Sequence, residues 1–216
     1  MYPKLIIYDK DGTLVPTKEI YCSMEDQVLI EMGAKSRPWH VYLTHPLRVV
    51  DWHGYYRDLG VDASRTQDAI DLFFRKEADL KTIPVIDGVF EALDEIEHMG
   101  INQHLLTHNH HESIVRRKLV MTGLNRLFPE GRFTIAHDGK YEHFAGICKI
   151  YAAAPDETMF LTDIRADIDD GNRAGLFTIA VSNEHSYDAH SELVKANPRR
   201  IITDIRELTE IVRAIL

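Results

Sequence analysis

Three places in this 216-residue chain put carboxylates or a hydroxyl directly after a short run that reads as a strand. Asp9 and Asp11 follow Leu-Ile-Ile-Tyr, Thr107 follows Gln-His-Leu-Leu, and Asp163 with Asp167 follow Met-Phe-Leu-Thr. In an open parallel sheet, ligands bind outside the carboxyl ends of the strands, so one crevice can hold all of these side chains. Four carboxylates converging there would repel one another and take up protons unless a cation were present, and the pattern therefore predicts a metal. The candidate ligands are oxygen donors without a nearby thiolate. That points to a hard cation, Mg2+ before zinc, in particular where a substrate phosphate completes the coordination.

The elements that must position these groups are legible in the periodicity. Lys4 to Tyr8 is an apolar run entering the sharp loop Asp-Lys-Asp-Gly-Thr, a buried strand with Asp9 at its carboxyl end. Helical spacing over Asp87–Met99, stopped by Gly100, is followed by a strand at Gln103–Leu106. The alternation continues with a helix at Glu112–Thr122, a strand at Phe133–Ala136, and a helix at His143–Ala154. A strand at Met159–Leu161, a helix at Asp167–Ala174 and a strand at Phe177–Val181 come next. A weak helix over Asp188–Ala196, a strand at Arg200–Ile202 and a helix carrying Ile205, Leu208, Ile211, Val212 and Ile215 close the chain. Each parallel crossover needs a connecting helix, so this rhythm predicts an α/β domain with a doubly wound, mainly parallel sheet.

Residues 16 to 83 break the rhythm with helical patterns at Ile20–Met32 and Thr66–Leu80 around a middle rich in aromatic and histidine residues. We read this stretch as an inserted helical cap, 16–83, bracketed by Pro16 and Pro84, with the core formed by 1–15 and 84–216. Trp39, His40, His45, Arg48, Trp52, His53 and Arg57 could form a substrate-facing surface of the cap, or simply pack it.

Composition narrows the function classes. With 44% hydrophobic and 27% charged residues the chain is of ordinary globular type. A net charge of −9 argues against nucleic acid or an anionic membrane as partner. No apolar run approaches the roughly 20 residues needed to cross a bilayer, and the opening Met-Tyr-Pro-Lys has no signal-peptide core, so a cytoplasmic protein is expected. Cys22 and Cys148 match no metal spacing and are expected as free, packed thiols.

Asp9-Lys10-Asp11-Gly12-Thr13 directly after an N-terminal strand resembles the first signature of the haloacid dehalogenase superfamily. Leu105-Leu106-Thr107 is similar to the second signature, and Asp163-Ile-Arg-Ala-Asp167, running on to Gly171 and Ala174-Gly175, to the fourth. The insertion after the first signature resembles a cap of the C1 type. The resemblance implies a phosphatase in which Asp9 attacks phosphorus to form an aspartyl phosphate and Asp11 protonates the leaving alcohol, then deprotonates water. It also implies Mg2+ held by Asp9, Asp11 and Asp163, with Asp167 acting through water, and a small phosphorylated substrate.

Phosphoryl transfer further calls for a hydroxyl and a lysine at the phosphate. Thr107 supplies the hydroxyl unless it only caps the following helix, with Asn109 as a second candidate. Lys140 stands where the third-signature lysine usually sits; Lys149, in mid-helix, is the alternative. Tyr141 follows this lysine where proline is frequent, and Thr162 precedes Asp163 where glycine is frequent. Asp169 and Asp170 are assigned only to the favourable dipole end of their helix. The cluster His108-Asn-His110-His111 reads as surface imidazoles, and Lys10 and Arg165 as side chains turned away from the site. A dehalogenase would not need Asp11, because no alkoxide leaves. A phosphomutase would keep both aspartates, and a phosphoacceptor switch would carry its aspartate in mid-chain without such an insertion.

Overall fold

The computed structural model describes residues 2–43, 45, 51–108, 112–137 and 139–215. The chain divides into two compact units, Met1–Pro16 with Thr82–Leu216, and Thr17–Lys81.

The first unit begins with β1 (Leu5–Tyr8), buried at every residue as a parallel strand covered on both faces must be. The second unit follows at once, with α1 (Thr17–Glu31), α2 (Trp39–Leu43), α3 (Trp52–Asp58) and α4 (Thr66–Asp79). Its core gathers Cys22, Val28 and Leu29 of α1, Tyr55 and Tyr56 of α3, and Phe73 of α4. Trp52 packs its ring against Tyr55, Tyr56, Phe73 and Phe74, and so serves this core. His45 rests edge-on against Tyr55, and His53 bonds Thr66; Trp39 and Arg57 are exposed. Arg48 lies outside the described residues.

The first unit resumes with α5 (Val89–His98), β2 (Asn102–His108), α6 (Glu112–Thr122), β3 (Phe133–Ala136) and α7 (Tyr141–Ile150). It ends with β4 (Thr158–Thr162), α8 (Arg165–Arg173), β5 (Phe177–Val181), α9 (His190–Lys195), β6 (Arg200–Ile202) and α10 (Glu207–Ile215). The six strands form one parallel sheet in the order β3-β2-β1-β4-β5-β6. Strand order reverses between β1 and β4, so the sheet is doubly wound, as the alternation of elements predicts, and the crevice opens where these two strands end.

Parallel neighbours present the same face at each register position, and the register pairs Ile7 with both His104 and Phe160. Leu5, Ile7, Leu106 and Phe160 therefore share a face, and Phe144, Ile147 and Cys148 of α7 pack against it. Burying each such Leu, Ile or Phe contributes about 1.5–3 kcal/mol. Both cysteines are buried free thiols. No helix among the described residues is long and apolar enough to cross a membrane.

Two of the element boundaries that differ from the periodicity bear on the site. The helix expected over 143–154 starts at Tyr141 and stops at Ile150, where the chain turns through Ala152 at φ +49° toward Pro155, which disfavours helix in the residue before it. Strand β2 runs on to His108, so Thr107 lies within the ladder, opposite Ile135, rather than beyond it.

His104 is the polar exception on the α7 face. Its ring nitrogens lie 3.1 Å from the Tyr151 hydroxyl and 2.9 Å from Thr134 Oγ1. Burial disfavours the imidazolium and lowers its pKa to about 4. The unfolded chain binds this proton near pH 6.5 and the folded one only near 4, so stability falls as pH drops through that window, in total by on the order of 3 kcal/mol. Urea unfolding at pH 7 and pH 4 is expected to show this extra loss in the wild type and not in His104→Gln. Parallel losses in the two proteins would refute it.

Candidate active site

Asp9 continues β1 by one residue, its N–H donating to the Leu161 carbonyl at 2.8 Å. The pairing of Tyr8 with Leu161 puts Asp9 level with Thr162, so both side chains leave the sheet on the α7 side. Lys140, immediately before α7, reaches into that corner. Its ammonium lies 2.8 Å from Asp9 Oδ1, 2.6 Å from Asp167 Oδ2 and 5.6 Å from the centroid of the Phe160 ring. The Thr162 hydroxyl sits between the same two carboxylates, 3.5 Å from Asp9 Oδ2 and 3.2 Å from Asp167 Oδ2. Lys149 is exposed on α7.

Asp163 is fully buried beside this cluster. Its Oδ1 accepts from the Thr13 hydroxyl at 2.8 Å and its Oδ2 from the Tyr187 N–H at 2.7 Å. Gly12 makes that seat possible. It turns at φ +81°, and a Cβ there would stand 2.1 Å from Asp163 Oδ2 and 2.8 Å from the Tyr187 ring. The first and fourth stretches singled out in the sequence are thus locked together through Thr13 and Gly12.

The electrostatics follow from burial. Desolvation raises the Asp9 pKa, Lys140 opposes the rise, and Asp167 adds to it. Asp163 is pushed well above the usual carboxylate range by burial and then by Asp9, with the Tyr187 N–H holding it back. Burial alone would lower Lys140, but Asp167 and Asp9 outweigh it, and the ammonium is held protonated more firmly than usual. Its charge is a fixed part of the site.

Asp11, partly exposed, takes the Lys10 ammonium on Oδ1 at 2.5 Å. Lys10, read from the sequence as turned away, is fully buried, and burial lowers its pKa against the pull of Asp11. Thr107 Oγ1 is buried and makes no hydrogen bond among the described residues. The structure therefore brings Asp9, Lys140, Asp163 and Asp167 together, pairs the partly exposed Asp11 with the buried Lys10, and leaves the Thr107 hydroxyl open to a partner. Arg165 pairs with Asp169 and Glu192, away from the cluster. His108 is exposed, while Asn109, His110, His111 and Asp138 lie outside the described residues.

Four participants carry little or no sequence signal. Thr162 registers only as a departure from a pattern, Lys10 is discounted by alternation, and Tyr187 contributes a backbone N–H from the loop after β5. Asp170 accepts from the Tyr141 N–H at 3.1 Å rather than merely facing a helix dipole. Inspecting the loop after each strand's carboxyl end reaches Lys10, after β1, and Tyr187, after β5.

The donor set fits a hard divalent cation. Asp9, Asp163 and Asp167 are buried carboxyl groups, two of them bridged by the Lys140 ammonium, and Asp11, paired with Lys10, adds a fourth acidic side chain of oxygen donors. Among the described residues, no three Asp, Glu, His or Cys side chains are already grouped to hold a metal by themselves.

A family model described as haloacid dehalogenase-like hydrolase matches residues 6–181, well over half the chain. A phosphoglycolate phosphatase of Pseudomonas syringae pv. tomato is 27% identical over 219 residues, covering 95% of this chain and 78% of its relative. Phosphoglycolate phosphatase 1 of Pseudomonas aeruginosa is 25% identical over the same shares of the two chains. Among solved structures, a predicted phosphoglycolate phosphatase from Haemophilus somnus superposes with a TM-score of 0.81 at 18% identity, covering 97% of each chain. A hydrolase from Deinococcus radiodurans, crystallised with phosphate and sodium, gives 0.79 at 18%, covering 98% of this chain and 96% of its own.

The packing at Gly12 yields a direct test. Gly12→Ala must strain a left-handed turn and displace Asp163, at a cost of at least about 2 kcal/mol. Urea unfolding measures it, and an unchanged midpoint would mean that Asp163 is not seated against this turn.

Proposed function

The chain belongs to the haloacid dehalogenase-like hydrolase family and is a phosphatase of it, and on that premise we propose that it hydrolyses a small phosphomonoester through an aspartyl phosphate on Asp9, with Mg2+ as cofactor. The observation that carries this reading is the ion pair of Lys140 with Asp9 and Asp167 inside a corner that also buries the Asp163 carboxyl group.

Asp9 is the nucleophile of the proposal. One Asp9 oxygen attacks phosphorus, the bond to the leaving oxygen breaks, and Asp11 delivers a proton to the alkoxide. Asp11 then takes a proton from the water that attacks the aspartyl phosphate, which releases inorganic phosphate and restores Asp9. Asp11 can approach a leaving group from the rim because it is partly exposed, whereas Asp163 is sealed. A dehalogenase has no alkoxide to protonate and no use for Asp11 in this role.

Lys140 supplies fixed positive charge to the phosphoryl oxygens. The Thr107 hydroxyl, buried without a partner among the described residues, is the donor we assign to a phosphate oxygen. We assign Mg2+ to Asp9, the backbone carbonyl of Asp11, and Asp163, with Asp167 acting through water. When bound, the metal offsets repulsion between the phosphate and Asp9 and stabilises charge on the transferred group. The inserted unit Thr17–Lys81, by its position directly after the first signature, takes the role of a C1-type cap that selects the leaving group.

The shared name of the relatives makes 2-phosphoglycolate the first substrate to try. Release of inorganic phosphate from it and from a panel of sugar phosphates and nucleotides is expected to need Mg2+ and to stop with chelator. Asp9→Asn is expected to lower turnover by about three orders of magnitude or more, and Asp11→Asn to slow both formation and breakdown of the intermediate. Turnover without a metal, or near-normal rates in Asp9→Asn, would contradict the proposal.

A further inference from the structure

Lys140 is held at its tip by Asp167, and the residue three further along the same helix holds the backbone just beyond Lys140. Asp170 Oδ2 accepts from the Tyr141 N–H at 3.1 Å. The spacing i, i+3 puts Asp167 and Asp170 on one face of α8, both directed at the start of α7.

The start of α7 needs such help. The first N–H groups of a helix have no partner inside it, and an N-cap side chain normally accepts from them. Lys140 occupies the N-cap and makes no side-chain cap bond, since an ammonium has no acceptor and this one is committed to Asp9 and Asp167. Asp170 provides the acceptor from a neighbouring helix, and its negative charge at a helix N-terminus is favourable in its own right. Gly139 allows the approach, because a Cβ there would stand 3.2 Å from Asp170 Oδ2. Arg173 closes the arrangement. It bonds Asp170 Oδ1 at 3.3 Å and lies over the Tyr141 ring at 3.7 Å.

We propose that Asp170 is a positioning residue for phosphoryl transfer: it fixes the backbone at the start of α7 so that the Lys140 ammonium meets the phosphate. The proposal rests on the reading of Lys140 as the phosphate-binding lysine. A lysine side chain is long and freely rotating, so its charge is localised only if both ends are held. Without Asp170 the first turn of α7 loses its outside acceptor, the Lys140 backbone shifts, and the charge no longer sits where the transferred group develops its own.

A double-mutant cycle tests this, with kcat/KM for a phosphomonoester and the inhibition constant of inorganic phosphate as readouts and the unfolding temperature followed in parallel. Asp170→Ala is expected to lower kcat/KM about tenfold and to weaken phosphate inhibition by a similar factor. Asp170→Asn, which keeps an acceptor oxygen, is expected to stay within about threefold of wild type. Added to Lys140→Ala, Asp170→Ala is expected to cost less than about twofold, because a residue that acts through Lys140 has nothing left to position. A purely structural role would give the same loss in both backgrounds. That result, or wild-type kcat/KM in Asp170→Ala, overturns the proposal. If Asp170→Ala does not fold, Asp170→Ser at the same partly exposed helix position is read by the same criteria. Wild-type rates in Lys140→Ala would instead overturn the reading of Lys140 itself, and the proposal with it.

Discussion

One ammonium between two buried carboxylates organises this molecule. Taking a carboxylate out of water costs several kcal/mol unless partners replace the lost hydration. Here Asp9, Asp163 and Asp167 are withdrawn together, and Lys140 lies within 2.8 Å of two of them. Asp163 is served by a hydroxyl and a backbone N–H, which carry no full charge. The corner is therefore a charged site under tension, of the kind that polar core rules forbid except where function needs it. A divalent cation and a phosphate, with opposite charges and oxygen chemistry, are the partners such a corner suits.

The sheet makes the corner possible. Reversal of strand order between β1 and β4 opens the crevice at the ends of those two strands, and their register sets Asp9 level with Thr162 on the α7 side. The loop after β1 must then double back sharply enough to lay Thr13 and Gly12 against Asp163, which the left-handed turn at Gly12 allows. Helices α7 and α8 meet on the same face, and each brings one partner of the ion pair. The large apolar faces of β1, β2 and β4 serve as the fixed frame on which sub-ångström placement of these groups depends.

Much of this was legible in the residues alone. Short apolar runs ending in Asp or Thr located the strands and, through the rule that ligands gather at their carboxyl ends, Asp9, Asp163, Asp167 and Thr107. The repeated alternation with helices led to the doubly wound sheet. What escaped did so for different physical reasons. Asp170 looked like a first-turn carboxylate because its partner, Tyr141, is 29 residues away. Lys10 was discounted because alternation governs a strand and the loop after β1 is not one; its side chain is buried against Asp11. The helices at Trp39–Leu43 and Trp52–Asp58 span five and seven residues, too short for a helical period to rise above the aromatic content around it.

The cluster of buried acidic groups beside Lys140 is the centre of the account, and titrating Mg2+ into metal-free protein, with binding heat and unfolding temperature followed together, tests it most directly. The account predicts one Mg2+ bound per chain and a rise in unfolding temperature, both lost in Asp163→Asn. A protein that takes up no Mg2+ and unfolds at the same temperature with or without it would contradict the account.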